Sequence, residues 1–202
     1  MWKKALPASS DFPYLHRKGV GAYGLRYLKT WRRHIYQEGI YVETVKIDGV
    51  LLVPMKDASG KLWNIQVIFS EVCPALEREG DFLPGARVSG LFHWVGERTQ
   101  TVCIAEGYAT AATLYESTGY RCFVAFSAGN LAHVALAVRK ALPDARIVVC
   151  GDNDLPDQRG RRAGIEKAEE AATLVDGYVA LPPVEGADFN DWANELRSHG
   201  ND

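Results

Sequence analysis

No apolar stretch in this 202-residue chain approaches the roughly 18 consecutive residues that a membrane span needs. No signal-peptide pattern precedes the first structured segment, so the sequence reads as cytoplasmic with no membrane partner. Cysteine is scarce. Cys73, Cys103, Cys122 and Cys150 are the four present, none in CxxC spacing, and three of them lie inside apolar runs. This argues against a zinc ribbon and a disulfide framework and fits small buried hydrophobes in a reducing compartment. Repeats and low-complexity tracts are missing, which leaves an ordinary globular composition with length for one large or two small domains.

A strong net charge is lacking too, at −2, but its distribution is uneven. Up to Lys46 there are nine basic residues against three acidic, a local charge of +6 that leaves −8 for the rest. A basic end joined to an acidic end suits a polyanion held beside a cation site, although a solvated basic face has the same signature.

The first part, to about residue 97, mixes short elements. Tyr41–Val45 and Val50–Pro54 look like strands joined by a turn at Ile47-Asp48-Gly49. A second turn, Asp57-Ala58-Ser59-Gly60, leads into Leu62–Phe69, whose alternation predicts an antiparallel strand, and Leu91–Val95 closes the region. One or two short helices are expected before this small, basic, β-rich part. From Thr101 strands and helices alternate: strand 101–105, helix 107–118, strand 121–126, helix 130–142, strand 146–150, helix 163–175 and strand 177–181. Repeated βα units imply an α/β fold with a largely parallel sheet flanked by helices. The expected division is 1–97, 98–185 and a tail, 186–202.

Two of those apolar runs end in acids. Thr101–Ala105 delivers Glu106-Gly107, and Arg146–Gly151 delivers Asp152-Asn153-Asp154. Ligands of open α/β sheets bind beyond the carboxyl ends of the strands, and three carboxylates there make a site for a hard divalent cation. Taken singly, each motif is commonly a turn or a helix cap. Together they repel one another unless a cation or proton intervenes, and the same turns carry no lysine or arginine beside them. Gly107 opens a helix N-terminus to phosphate or metal, or simply serves a turn. Asn130 either lines the same crevice or caps its helix.

These residues carry a resemblance. Residues 101–191 resemble a toprim domain, the metal-binding module shared by bacterial-type DNA primases and topoisomerases. The wording Ile104-Ala105-Glu106-Gly107-Tyr108-Ala109-Thr110-Ala111, then Ala125-Phe126-Ser127-Ala128-Gly129-Asn130-Leu131, Gly151-Asp152-Asn153-Asp154 and Asp188-Phe189-Asn190-Asp191 is similar to primases of phages, plasmids and integrative elements. Upstream, Tyr14-Leu15, Arg17-Lys18-Gly19, Leu52–Asp57 with Gly60 and Gln66, and Phe82–Arg87 with Gly90 resemble the basic subdomain that precedes toprim there.

The resemblance implies a primase core that makes RNA primers on single-stranded DNA from nucleoside triphosphates. It implies that Glu106, Asp152 and Asp154 are catalytic and hold Mg²⁺ or Mn²⁺, with Asp188 and Asp191 as outer acids or a helix cap. Arg17, Lys18, Lys56, Lys61, Asn64, Gln66, Arg87, Gly107 and Asn130 become candidates for nucleotide and template contacts. No Cys/His cluster supplies the zinc module that commonly precedes this core and no helicase P-loop follows, so such domains would be partners outside this chain. Asp81 stands where related primases often place a basic residue. A metal-dependent nuclease, or a non-catalytic nucleic-acid-binding fragment, remains the alternative.

Overall fold

The computed structural model describes residues 1–199. Two five-stranded sheets organise them. The first is antiparallel throughout and runs in chain order: β1 (Leu6–Pro7), β2 (Arg26–Gln37), β3 (Ile40–Lys56), β4 (Leu62–Cys73) and β5 (Arg78–Phe82). The second has β7 (Thr101–Ala105) at its centre, between β8 (Arg121–Val124) and β9 (Arg146–Cys150), with β10 (Tyr178–Ala180) beyond β9. Those four strands are parallel, and β6 (His93–Val95) closes the other edge antiparallel to β8. The expected α/β alternation from Thr101 is therefore present, with a mixed rather than wholly parallel sheet.

Alternation of side chains explains how the two sheets meet. Along β3, Leu51, Val53 and Met55 point into a core shared with Cys103, Ala105 and helix α2 (Tyr108–Thr118). Val50 and Leu52 point the other way, against Trp31, Ile65, Val67 and Phe69. β3 is thus buried on both faces at its C-terminal end, which is why it reads as an unbroken apolar run. Helix α1 (Pro13–Lys18) adds Tyr14 and Leu15 to the shared core. On the opposite face of the second sheet, Val102, Ile104, Ile147 and Val149 pack on α3 (Leu131–Ala141) and α4 (Ala163–Leu174). Helix α5 (Phe189–His199) lies against α2, where Asn190 Nδ2 donates to Thr113 Oγ1 and to Lys18 O.

Two expectations for the first sheet are corrected, and one strand is added. Ile47-Asp48-Gly49 is not a turn: β3 runs straight through it, and the hairpin reverses at Glu38-Gly39, both with positive φ, between Gln37 and Ile40. Asp-Gly is a strong hairpin signal, but here Arg26–Gln37 supplies a partner along both halves of β3. That twelve-residue strand itself went unrecognised, since its charged residues Lys29, Arg32 and Arg33 interrupt the apolar pattern. His93–Val95 joins the second sheet rather than closing the first. The turn at Asp57–Gly60 stands as expected, with Asp57 Oδ1 accepting from the Ser59 and Lys61 backbone amides.

Candidate metal centre and nucleic-acid interface

β7 and β9 are neighbours in register, Ala105 opposite Cys150, so their C-terminal tips present Glu106 and Asp152 side by side. Beyond β9 the chain cannot wander. Gly151 N donates to Ala180 O, Asn153 N to Ala187 O, and Asn153 Nδ2 to Pro182 O. Asn153, between the two aspartates, therefore ties the 182–187 segment to the tip. α4 then packs hard against the same tip. A Cβ on Gly151 would lie 2.7 Å from Ala168 Cβ, and one on Gly164 would lie 2.7 Å from Asp154 Oδ2. Glycine at both positions is what lets helix and tip approach, and Gly164 N donates to Asp154 Oδ2 at 2.9 Å.

Among the described residues no lysine or arginine is paired with Glu106, Asp152 or Asp154. Glu106 Oε1 and Asp152 Oδ1 are buried without a hydrogen-bond partner. Burial and the charge of Asp154 push the Glu106 carboxyl up to about 7, while the backbone of Ala128 pulls weakly the other way. Burial, then Glu106 and Asp188, push Asp152 up to about 7 as well. Buried polar atoms are almost always bonded, so two partnerless carboxylate oxygens on neighbouring strand tips are a candidate cation site. An all-oxygen donor set suits a hard divalent cation. Among the described residues no three His, Cys, Asp or Glu side chains stand close enough together to hold a metal ion by themselves. That is compatible with Mg²⁺, which commonly binds through one or two carboxylates together with substrate phosphates.

The remaining predicted residues separate into groups. Asp188 caps α5, its Oδ1 accepting from Asn190 N and Asp191 N, while Thr110 Oγ1 donates to its Oδ2 at 3.0 Å. It remains close enough to raise both tip acids. Asp191 is exposed and paired with Lys18 at 3.3 Å, so Lys18 is engaged by an acid rather than open to an anion. Gly107 precedes α2 with an ordinary φ of −96° and nothing closer to a Cβ than Thr110 Oγ1 at 3.7 Å. Turn geometry does not demand glycine there, and a Cβ would meet only ordinary contact.

Two candidates serve packing instead. Asn130 is buried, its Oδ1 accepting from Gly90 N and its Nδ2 donating to Leu91 O and Ala125 O. It neither lines the crevice nor makes a side-chain cap; it ties residues 90–91 to the end of β8. Asn64 is equally buried, donating to Ala86 O and Arg87 O, while its Oδ1 accepts from Ile65 N. Gln66 is half-buried in mid-strand, opposite Val53 and Phe82. Arg17 donates to Ser70 O and pairs with Glu79, anchoring α1 to the first sheet. Asp81 is explained similarly: it is buried between Arg33 and Arg78, each at 3.0 Å, and clasps β2 to β5.

Lys56, Lys61 and Arg87 are different, because each lies on an indole. Lys56 Nζ sits 4.8 Å from the Trp94 ring centroid, while Lys61 Nζ and Arg87 Cζ sit 3.9 Å and 4.6 Å from that of Trp63. From the sequence, the Trp and Tyr residues of this half are candidates for base stacking with packing the commoner role for any one of them, and nothing singles out Trp63, at the start of β4 beside the Asp57–Gly60 turn. Asn153 was missed as well, hidden between the acids it positions.

Comparison with known proteins agrees with this architecture. DNA primase TraC of Escherichia coli is 32% identical over 186 residues, covering 88% of this chain and 11% of TraC. The chain thus spans about a tenth of the length of that curated relative. Among solved structures, the DnaG primase catalytic domain bound to ssDNA superposes with a TM-score of 0.61 at 12% identity, over 98% of this chain and 71% of that one. The primase fragment of the bacteriophage T7 primase-helicase protein gives 0.56 at 16% identity, over 98% and 76%. The sequence profile described as "Toprim domain" matches residues 101–202, half of the chain, and the chain belongs to that family.

Proposed function

We propose that this chain is the catalytic core of a DNA primase, joining ribonucleotides on a single-stranded DNA template in a divalent-metal-dependent reaction. The observation that carries the reading is the pair of buried, partnerless carboxylate oxygens on adjacent strand tips, Glu106 Oε1 and Asp152 Oδ1. The TraC relative, itself described as a DNA primase, supports the same chemistry.

In this reading Glu106, Asp152 and Asp154 hold Mg²⁺ or Mn²⁺, and Asp188 adds negative charge from behind. When bound, the ion neutralises triphosphate charge and eases deprotonation of the attacking 3′-hydroxyl. The chain's own residues do the rest. Gly164 N fixes the Asp154 carboxylate by its hydrogen bond, and Asn153 keeps the tip from relaxing away from Glu106. The N-terminus of α2, behind the exposed Gly107, directs a positive dipole end toward a phosphate. Lys56, Lys61 and Arg87 supply cations for the polynucleotide on the first-sheet side. In this reading the partners are the single-stranded template and nucleoside triphosphates, and the enzyme works in the cytoplasm.

The test is primer synthesis on single-stranded DNA with labelled nucleotides and Mg²⁺ or Mn²⁺. The wild-type chain makes labelled oligonucleotides, and Asp154→Asn loses them by at least about 100-fold, the scale of losing an electrostatic group at the reacting centre. Degradation of the template instead of synthesis transfers the site to a metal-dependent nuclease.

A further inference from the structure

Trp63 is 42% exposed, while Trp31 is buried and Trp2, Trp94 and Trp192 are half-buried. An indole left open to water on a mid-sized domain forgoes the burial its large apolar surface would otherwise gain. This one is also held still. Its Nε1 donates to Asp57 Oδ2 at 2.6 Å, and Asp57 is itself locked by Ser59 and the Lys61 amide in the β3–β4 turn. Those bonds keep the Asp57 carboxyl ionised down to about 2. The bond restrains the ring, which lowers the entropy that a ligand stacking on it must remove.

Two cations flank the ring. Lys61 comes from the end of the turn just before that strand, and Arg87 from the segment that the buried Asn64 amide pins by its carbonyl. Asp57 is the acid at this spot, and its oxygens are already bonded to the turn and to the indole. A fixed aromatic face with two flexible cations beside it is the combination that takes a base by stacking and its phosphates by charge.

We propose that Trp63 is a stacking platform for single-stranded nucleic acid, with Lys61 and Arg87 swinging from the ring to the flanking phosphates. The inference rests on the primase reading for its polynucleotide and adds the residue that grips an unpaired base. Duplex does not fit the same spot, because its bases are already stacked on one another. An acidic peptide would use the cations and leave the ring idle.

The experiment is binding of a labelled oligo-dT to the full chain in EDTA, without nucleotides, across a salt series. Trp63→Ala lowers affinity by roughly tenfold or more, and Trp63→Phe, which keeps a stacking face and guards against misfolding, stays within about threefold of wild type. Lys61→Ala and Arg87→Ala each flatten the log K against log salt slope by about 0.7, whereas Trp63→Ala leaves that slope unchanged. Oligo-dT quenches wild-type tryptophan emission, and the quenching is largely lost in Trp63→Phe. Wild-type affinity in Trp63→Ala, equal affinity for duplex, or unaltered quenching in Trp63→Phe each overturns the platform. Because no metal or nucleotide is present, a wild-type chain that fails to synthesise primers leaves these results standing. A Trp63→Ala chain that binds normally removes the platform without touching the acid site.

Discussion

Replacing Asp152 by Asn should stabilise the metal-depleted chain at neutral pH, an unusual outcome for a change in a half-buried site. Burial first, and then the charges of Asp154 and Asp188 on Glu106 and of Glu106, Asp188 and Asp154 on Asp152, push both carboxyls up to about 7. Between pH 4 and pH 7 the folded chain holds protons that the unfolded chain has released, so stability falls as pH rises through that window. The full shift for Asp152, from 3.8 to about 7, corresponds to about 4 kcal/mol. Water still reaches part of the side chain and the two acids titrate as a pair, so the effect expected is ~1–3 kcal/mol. For a chain of this size that is roughly 3–10 °C in Tm. The assay is thermal unfolding of wild type and Asp152→Asn in EDTA from pH 4 to pH 8. The advantage of the variant should be near zero at pH 4 and grow to its full size by pH 8. Excess Mg²⁺ should raise the wild-type Tm and narrow the gap, because binding to the folded state adds its own stabilisation. A variant less stable than wild type at pH 8, or a difference that does not change with pH, would refute the electrostatic account.

Two packing predictions follow from the same region. Asn130→Ala removes bonds to Gly90, Leu91 and Ala125 and leaves those backbone groups unsatisfied. It should cost about 2–3 kcal/mol in urea unfolding, and a loss under about 0.5 kcal/mol would mean that water replaces the amide. Gly151→Ala forces a Cβ to within 2.7 Å of Ala168. It should cost about 1–3 kcal/mol by overpacking and weaken cation binding by displacing Asp152, whereas wild-type stability and affinity would show that α4 yields freely.

The second sheet was legible because its strands are short and buried, so Thr101–Ala105 and Arg146–Cys150 stand out as apolar runs and their acids as the break that follows. The first sheet was less legible. Arg26–Gln37 alternates cations with aromatics because part of the ribbon faces water, and Asp48-Gly49 imitates a hairpin turn inside a strand that passes through it. The acid residues of the site could be picked out, but not their support. Asn153 reaches Pro182 across 29 positions, and Asn64 reaches Arg87 across 23. Such contacts depend on register and loop path, which no local pattern encodes. For the same reason the buried ties made by Asn130 and Asn64, and the clasp of Asp81 between two arginines, have no local signature.

The most direct test of the central claim is nucleotide incorporation on single-stranded DNA by the wild-type chain and by Glu106→Gln, each with Mg²⁺ and with EDTA. Oligo-dT binding is measured on the same samples. The account predicts synthesis only for wild type with the metal, and unchanged DNA binding in the variant. Synthesis by Glu106→Gln at the wild-type rate, or synthesis that persists in EDTA, would contradict it.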